Sequence, residues 1–172
     1  MLKTIERRVL TQLDTPALWR INEQGLPGVG EVSQEAMADL LSLCAYAWGA
    51  FDQGELVGFV LCLQPGTRYT SLNYAWFNQN HDEFLYVDRI AVADTHRNRQ
   101  IGSALYEQVI KQATERGLPV AAEVNLTPPN PGSMRFHQRH GFAEVGTLEH
   151  PHYAVAMLMR PPGRSINPEG TG

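Results

Sequence analysis

The sequence predicts a single α/β domain over residues 1–160, followed by a flexible Pro- and Gly-rich tail over residues 161–172. Three observations favour this class. Residues 46–51 and 56–63 are apolar runs joined by Asp-Gln-Gly-Glu, which is typical of a β-hairpin. Residues 84–105 pass from an apolar, β-branched run through a polar turn into an amphipathic helical pattern. A chain of 172 residues with 43% hydrophobic residues is long enough to bury its own core.

The first strand and the first two helices are predicted from alternation and from capping residues. Residues 4–10 alternate loosely between polar and apolar side chains, which predicts a strand. Asp14 precedes Pro16, the pattern of an N-cap with proline in the first turn, and the helix that follows is expected to end at the glycines of residues 25–30. Ser33 is the predicted N-cap of a second helix.

Residues 64–83 form a long connection with many aromatic and amide side chains and few aliphatic ones. A connection of this length inside a compact domain usually has a function or is disordered, and the aromatic content argues against disorder. Two interpretations stay open. The segment lines a pocket for an acceptor substrate, or it crosses the surface while its aromatic rings pack down on the sheet.

The second half of the chain predicts two more helices. The helix of the 84–105 stretch is expected to end near Gly117. Asn130 precedes Pro131 and so predicts the N-cap of a short helix that ends near His140. Three further strands are expected, at residues 120–124, 142–148 and 153–159.

The polar turn before residue 101 is predicted to bind an anion. The first N–H groups of a helix have no partner within the helix, and they carry a partial positive charge. Arg97 and Arg99 lie directly before this helix. A phosphate group is therefore the expected ligand, and the alternative is that the two arginines form only a solvated basic turn.

This stretch resembles the acyl-coenzyme A site of the GNAT N-acetyltransferases. Their signature is Gln or Arg, two residues, Gly, one residue, and Gly or Ala, which Arg99, Gly102 and Ala104 satisfy. Alignment on the end of the strand instead puts Arg97 at the basic position and Gln100 where the family has its first glycine. That glycine lets the backbone approach pyrophosphate closely.

A later block of the sequence resembles a second motif of the same family. Asn130, Ser133 and Phe136 hold the expected spacing, and Gly141 and Phe142 complete the motif. His137 stands where the family commonly has Tyr.

The resemblance implies a mostly antiparallel central sheet of six or seven strands, with helices on both faces and middle strands that separate to admit the cofactor. It implies acetyl transfer from acetyl-CoA to a primary amine, directly in a ternary complex and without a covalent enzyme intermediate. Backbone groups of the strand would pair with pantetheine, the turn and helix would hold pyrophosphate, and the later motif would contact the cofactor near its thiol. The implied cofactor-binding residues are Ile90, Ala91, Val92, Arg97, Asn98, Arg99, Gln100, Ile101, Gly102, Ser103, Ala104, Asn130, Ser133 and Phe136.

The implied chemistry needs a base for the amine and a proton donor for the leaving thiolate. His137 is the candidate donor, with Tyr86 and Tyr153 as substitutes. Asp88, which shares a strand face with Tyr86, is the candidate base. Each has a structural alternative: His137 as a cofactor contact or surface residue, and Asp88 as a buried partner of Arg89, His81 or Arg68. Glu83 and Glu123 are weaker candidates for the base.

Composition and missing motifs narrow the function further. A formal net charge of −4 predicts no nucleic-acid partner. Charged residues interrupt the N-terminal apolar positions, so neither a secretory signal nor a membrane span is predicted, and a cytoplasmic location is expected. Cys44 and Cys62 are expected as buried, reduced thiols. The histidine pairs lack ligand partners at metal spacing, so no metal is predicted.

Three questions about function stay open at this stage. A domain with Gln100 and His137 at two motif positions is also compatible with a non-catalytic acyl-CoA sensor or scaffold. The acceptor is a small-molecule amine or a peptide amine. The family makes a homodimer through the last strands a possible assembly.

Overall fold

The computed structural model describes residues 5–162, which form seven strands and five α-helices. The strands are β1 Glu6–Val9, β2 Tyr46–Asp52, β3 Glu55–Leu63, β4 Leu85–Val92, β5 Val120–Thr127, β6 Ala143–Glu149 and β7 Ala154–Arg160. The helices are α1 Thr15–Gln24, α2 Gln34–Leu43, α3 Leu72–Asn80, α4 Ile101–Arg116 and α5 Pro131–Arg139. Every predicted strand and helix is present, with ends that differ by a few residues, and α3 is additional.

The seven strands form one mixed sheet in the order β1-β2-β3-β4-β5-β7-β6. Antiparallel pairing joins β1 to β2, β2 to β3, β5 to β7, and β7 to β6. β4 and β5 run parallel, with Leu85 opposite Val120 and Tyr86 opposite Ala121. This confirms the predicted α/β class and the mostly antiparallel sheet. Separation of the middle strands stays a prediction.

By its internal contacts the chain divides into two compact units. Unit 1 contains residues 5–63 and 87–109, and unit 2 contains residues 64–86 and 110–162. Strand β4 and helix α4 each contribute to both units. The single domain over residues 1–160 stays a prediction.

The core of unit 1 is built on β3, the strand with the longest run of buried residues. Phe59, Leu61 and Leu63 are fully buried there, as are Leu18 of α1 and Met37 of α2. Ser33 caps α2 as predicted, because its hydroxyl accepts the N–H of Ala36 at 3.0 Å. Both cysteines belong to this unit. Burial raises the pKa of the Cys44 thiol to about 12, and Cys62 is fully buried.

Unit 2 contains α3, a helix within the segment for which the sequence predicts a long connection. Ser71 caps it by accepting the N–H of Tyr74 at 3.2 Å. Tyr74 and Phe77, one turn apart, are buried and pack their rings against Tyr86 of β4 at centroid distances of 5.3 and 5.6 Å. The rings of these two residues therefore pack down on the sheet, as the second interpretation expected. A pocket lined by the rest of the segment stays a prediction.

The helix α3 was missed because its sequence, Leu-Asn-Tyr-Ala-Trp-Phe-Asn-Gln-Asn, lacks a clear apolar stripe and has aromatic rings where aliphatic residues are usual. Strand β5 is three residues longer than predicted. Its irregular end places Thr127 opposite Ala154, so pairing with β7 carries it through polar positions that predicted a loop. The start of the predicted first strand at Thr4 and the tail over residues 163–172 lie outside the described residues. Within residues 5–162, no helix is both long enough and apolar enough to span a bilayer.

Candidate active site

The predicted anion site is a turn over residues 94–100 that leads into α4. Asn98 and Gln100 have φ values of +65° and +62°, in the left-handed region that favours glycine. The N–H of Ala104 bonds to the carbonyl of Gln100 at 3.0 Å, and helix geometry leaves the N–H groups of residues 101–103 without partners in the helix. The predicted helix N-terminus is therefore confirmed, with donors of the kind that bind phosphate.

The surroundings of Gly102 show whether a ligand can approach the backbone closely at the start of α4. A Cβ atom built on Gly102 would meet nothing within 4 Å, so the packing of the protein itself does not require glycine here. Its φ is not in the left-handed region either. The glycine therefore leaves open space over the first turn of α4, which fits the close approach of a pyrophosphate to the backbone.

The two arginines of the turn differ in their surroundings. The guanidinium of Arg97 lies 2.8 Å from a carboxylate oxygen of Asp94 and donates to the carbonyls of Gln24 at 3.1 Å and Val92 at 3.4 Å. Arg99 is exposed, and among residues 5–162 its side chain has no hydrogen bond or ion pair. The turn thus contains one bound arginine and one that can meet a ligand without losing a partner.

The predicted pantetheine strand is the second half of β4. Ile90 and Val92 are half-buried, and Ala91 between them is buried. The N–H of Ala93, one residue further, bonds to the carbonyl of Val57 in β3 at 2.8 Å. The three residues therefore alternate as strand positions do, and their binding of pantetheine stays a prediction.

Asp88 belongs to a buried polar network in unit 1. Arg89 Nε donates to Asp88 Oδ2 at 2.8 Å, and the two side chains are only 7% and 5% exposed. Arg89 Nη1 also donates to Asn22 Oδ1 and to the carbonyl of Gly30, both at 3.0 Å. Of the partners proposed from the sequence, Arg89 is therefore the one observed. Neither Asn22 nor Gly30 was predicted, because neither has a sequence signal beyond its residue type.

Tyr86 and Glu123 form the closest pair of candidate catalytic residues in unit 2. The Tyr86 hydroxyl donates to a carboxylate oxygen of Glu123 at 2.5 Å. Tyr86 is fully buried, whereas Glu123 on β5 is half-buried. Tyr86 is therefore closed to solvent, whereas part of the Glu123 residue is exposed. The sequence predicts Glu123 only as a weaker candidate for the base, because the parallel pairing that brings it beside Tyr86 has no local signal.

His137 lies on the buried face of α5. Its Nδ1 is 2.8 Å from the carbonyl oxygen of Ser133, and its ring packs edge-on against Phe142 at 5.1 Å. Burial lowers the pKa of His137, the neighbouring His140 lowers it further, and the bond to the Ser133 carbonyl partly opposes both. The imidazole is therefore neutral near pH 7. Because a carbonyl can only accept, the Nδ1 atom carries the hydrogen.

The other predicted residues of the later motif also lie on α5. The side-chain oxygen of Asn130 accepts the N–H of Ser133 at 3.1 Å, so Asn130 is the helix cap that the sequence predicted. Phe136 is half-buried, with its ring 4.6 Å from that of His140. Cofactor contacts by these residues stay predictions.

The substitute candidates lie elsewhere in unit 2. Glu83 is exposed in the turn before β4, and Tyr153 is 40% exposed and stacked on His150 at 4.3 Å. Within residues 5–162, no three His, Cys, Asp or Glu side chains are grouped to bind a metal ion.

Comparison with known proteins places this arrangement in a class. The family model described as "Acetyltransferase (GNAT) family" matches residues 16–142, from the first turn of α1 to the residue before β6. The chain is thus an acyl-CoA-dependent N-acetyltransferase by class. It belongs to the GNAT acetyltransferase family. No curated protein matches the sequence.

Solved structures share the fold at low sequence identity. The ribosomal-protein-S18-alanine N-acetyltransferase of Escherichia coli aligns with a TM-score of 0.75 and 16% identity, covering 96% of this chain and 98% of its own. Arabidopsis thaliana NAA60, solved with a bisubstrate analogue, aligns with a TM-score of 0.73 and 20% sequence identity. The alignment covers 92% of this chain and 98% of NAA60. A protein described as a putative phosphinothricin N-acetyltransferase aligns with a TM-score of 0.71 and 20% sequence identity. The alignment covers 94% of this chain and 100% of that protein. These similarities confirm the fold.

Proposed function

We propose that this chain transfers an acetyl group from acetyl-CoA to a primary amine by direct attack of the amine in a ternary complex. The observation that carries the proposal is the turn over residues 94–100. Together with the first turn of α4, it presents backbone donors, an exposed arginine and the open space at Gly102 in a chain of the GNAT family. That combination suits a pyrophosphate rather than an uncharged ligand.

The predicted cofactor-binding residues keep separate roles in this proposal. The first turn of α4 would bind pyrophosphate through its N–H groups, and Ile90, Ala91 and Val92 would pair with the pantetheine amides as an added strand does. Asn130, Ser133 and Phe136 would contact the cofactor near its thiol. Bound acetyl-CoA supplies a thioester carbonyl that an amine can attack.

Glu123 is the group we assign as general base. An amine acceptor is an ammonium in water and must lose a proton before it can attack. The half-buried carboxylate can accept that proton directly or through one water, while the Tyr86 hydroxyl fixes one of its oxygens. Tyr86 is then a positioning residue. Asp88 is less suited to this role because its carboxylate is already bound to Arg89.

His137 is better suited to support α5 than to protonate the leaving thiolate. A neutral ring whose Nδ1–H is donated to the Ser133 carbonyl has only a lone pair at Nε2. Positioning and carbonyl polarisation supply much of the rate in such reactions, so a dedicated acid is not required.

The acceptor is a small-molecule or peptide amine. The fold is shared with proteins described as acting on a ribosomal protein's alanine and, putatively, on phosphinothricin, so both kinds of acceptor belong in the screen. A cytoplasmic location and a homodimer stay predictions.

Release of coenzyme A thiol is the measurement that tests the proposal. The panel contains a peptide with a free α-amine, the same peptide with a blocked N-terminus and one lysine, spermidine, and free amino acids including phosphinothricin. We expect one class to give an acetylated product by mass spectrometry. Gly102→Glu, which brings bulk and negative charge to the first turn of α4, should abolish binding of acetyl-CoA while the chain stays folded.

Gln34→Glu is the control for added charge, since Gln34 is exposed on the first turn of α2 and is not among the proposed cofactor-binding residues. Binding of acetyl-CoA by the wild type without turnover of any amine would instead favour the acyl-CoA sensor. Absence of binding would contradict both functions.

A further inference from the structure

Arg97 is the more constrained of the two arginines in the turn before α4. Its guanidinium has three partners: a carboxylate oxygen of Asp94 at 2.8 Å, and the carbonyls of Gln24 at 3.1 Å and Val92 at 3.4 Å. Rotation of this side chain towards a phosphate would break contacts that the protein itself makes. The gain from a new phosphate contact would be offset by their loss.

The contact with Gln24 is favourable for a second reason. Gln24 is the last residue of α1, so its carbonyl is one of those that a helix leaves without an internal partner. A cation at this position satisfies the carbonyl and lies at the negative end of the helix dipole.

Gln24 also binds the other end of the same turn. Its side-chain oxygen accepts the backbone N–H of Asp94 at 2.9 Å. One residue of α1 therefore holds Asp94 through its side chain and Arg97 through its main chain. These contacts fix the start of the turn, whereas Asn98 and Gln100 continue it with left-handed backbone.

Arg99 has the opposite character. It is exposed, it lies between those two left-handed residues, and among residues 5–162 its side chain has no hydrogen bond or ion pair. An anion that binds Arg99 displaces only water, and no protein contact is lost.

We infer that Arg97 is a positioning residue that ties the phosphate-binding turn to the end of α1, and that Arg99 alone supplies the arginine that meets the pyrophosphate. The inference rests on the proposed function. It departs from the expectation that both arginines bind phosphate.

The test is isothermal titration of the full chain with coenzyme A and with pantetheine, which lacks the pyrophosphate and the nucleotide. Arg99→Gln should raise the Kd for coenzyme A by about ten- to a hundredfold, the range expected for loss of one charge-assisted hydrogen bond. It should also reduce the dependence of the Kd on salt, because one screened ion pair is lost. Binding of pantetheine should not change, and Arg99→Lys should keep the salt dependence.

Arg97→Gln should instead leave the salt dependence as in the wild type. It should raise the Kd for coenzyme A by a smaller factor than Arg99→Gln does. Gln24→Ala should raise the Kd by a similar small factor, because both variants loosen the same turn. If both substitutions only disturbed the structure of the turn, the two variants would not differ in the salt dependence of the Kd. Arg20→Gln, which removes an exposed arginine of α1, is the control for net charge.

Two results would overturn the inference. One is loss of the salt dependence in Arg97→Gln, and the other is wild-type affinity in Arg99→Gln. If the wild type bound no coenzyme A, the proposed function and the inference would fall together. Because that failure is visible before any variant is measured, it is distinct from a wrong assignment of the arginines.

Discussion

The hydroxyl of Tyr86 donates a 2.5 Å hydrogen bond to the carboxylate of Glu123. Glu123 lies on β5 two residues beyond Ala121, the residue that pairs with Tyr86 in the sheet. The two residues are 37 positions apart in the chain, and the parallel pairing of β4 with β5 brings them together. The buried phenol holds one carboxylate oxygen of Glu123, a residue that is itself half-buried.

Glu123→Gln is the first prediction that follows from this pair. The amide keeps the size of the side chain but cannot accept a proton from the acceptor ammonium. We expect kcat at neutral pH to fall by about 10²- to 10⁴-fold, the usual range for loss of a general base. Coenzyme A should still bind with wild-type affinity in isothermal titration.

Tyr86→Phe is the matched variant, because it removes only the hydroxyl. A positioning role predicts a smaller fall in kcat than for Glu123→Gln. Equal activity of Glu123→Gln and wild type would show that Glu123 is not the base.

Asp88→Asn distinguishes a structural carboxylate from a catalytic one. Removal of one partner from a buried ion pair leaves the other charge uncompensated, which costs about 3–5 kcal/mol. We therefore expect a large loss in the free energy of unfolding, measured with urea, and normal kcat for the fraction that remains folded. A stable Asp88→Asn protein with little activity would support the catalytic reading instead.

The sequence predicted strands and helices well where local chemistry determines them. Ser33 and Asn130 are helix caps, and the side chain of each accepts the backbone N–H of the residue three positions further along the chain. Capping patterns of this kind are visible in a single sequence. The pairs formed by Tyr86 with Glu123, and by Arg89 with Asn22, depend on which strand or helix becomes a neighbour. No local periodicity encodes that choice.

Gly146 tests the packing of α3 on the last strands within unit 2. A Cβ atom at this position would lie 2.5 Å from Cζ2 and 2.8 Å from Cη2 of the Trp76 ring, closer than atoms can approach. Gly146→Ala should therefore force the indole or β6 to move, at a cost of about 1–3 kcal/mol in the free energy of unfolding. Gly54→Ala is a poor control because its φ is +83°.

Gly132→Ala is the better control for that experiment. Its Cβ would have one neighbour, at 4.0 Å, and its φ is not in the left-handed region. Urea denaturation of the two variants compares them directly. Equal stability of Gly146→Ala and the control would mean that Trp76 does not pack on β6 in this way.

Gln100 occupies a backbone conformation that its side chain disfavours. At a φ of +62°, a residue with a Cβ is strained by about 1–2 kcal/mol, whereas glycine is not. Part of that relief is lost to the greater freedom of glycine in the unfolded chain. We expect Gln100→Gly to be neutral or stabilising by up to about 1 kcal/mol, and Gln100→Val to be destabilising. Denaturation midpoints should follow the order Gly, Gln, Val, and the reverse order would contradict the left-handed turn.

His137 should make stability depend on pH below neutrality. Burial lowers its pKa in the folded chain, and His140 lowers it further, while the unfolded chain has a pKa near 6.5. As the pH falls below about 6.5, the unfolded chain takes up a proton that the folded chain refuses. The free energy of unfolding should therefore decrease from that pH down to the lower pKa of the folded state.

The substitution His137→Gln isolates this contribution. Glutamine does not titrate, so the variant should lose less stability than the wild type between pH 7 and pH 5, whatever its stability at pH 7. His152→Gln changes an exposed histidine and is the control for the histidine-to-glutamine exchange itself. Parallel urea titrations of the three proteins measure the difference. A wild-type slope in His137→Gln would mean that this imidazole titrates alike in the folded and unfolded chains, and would reopen its assignment as a proton donor.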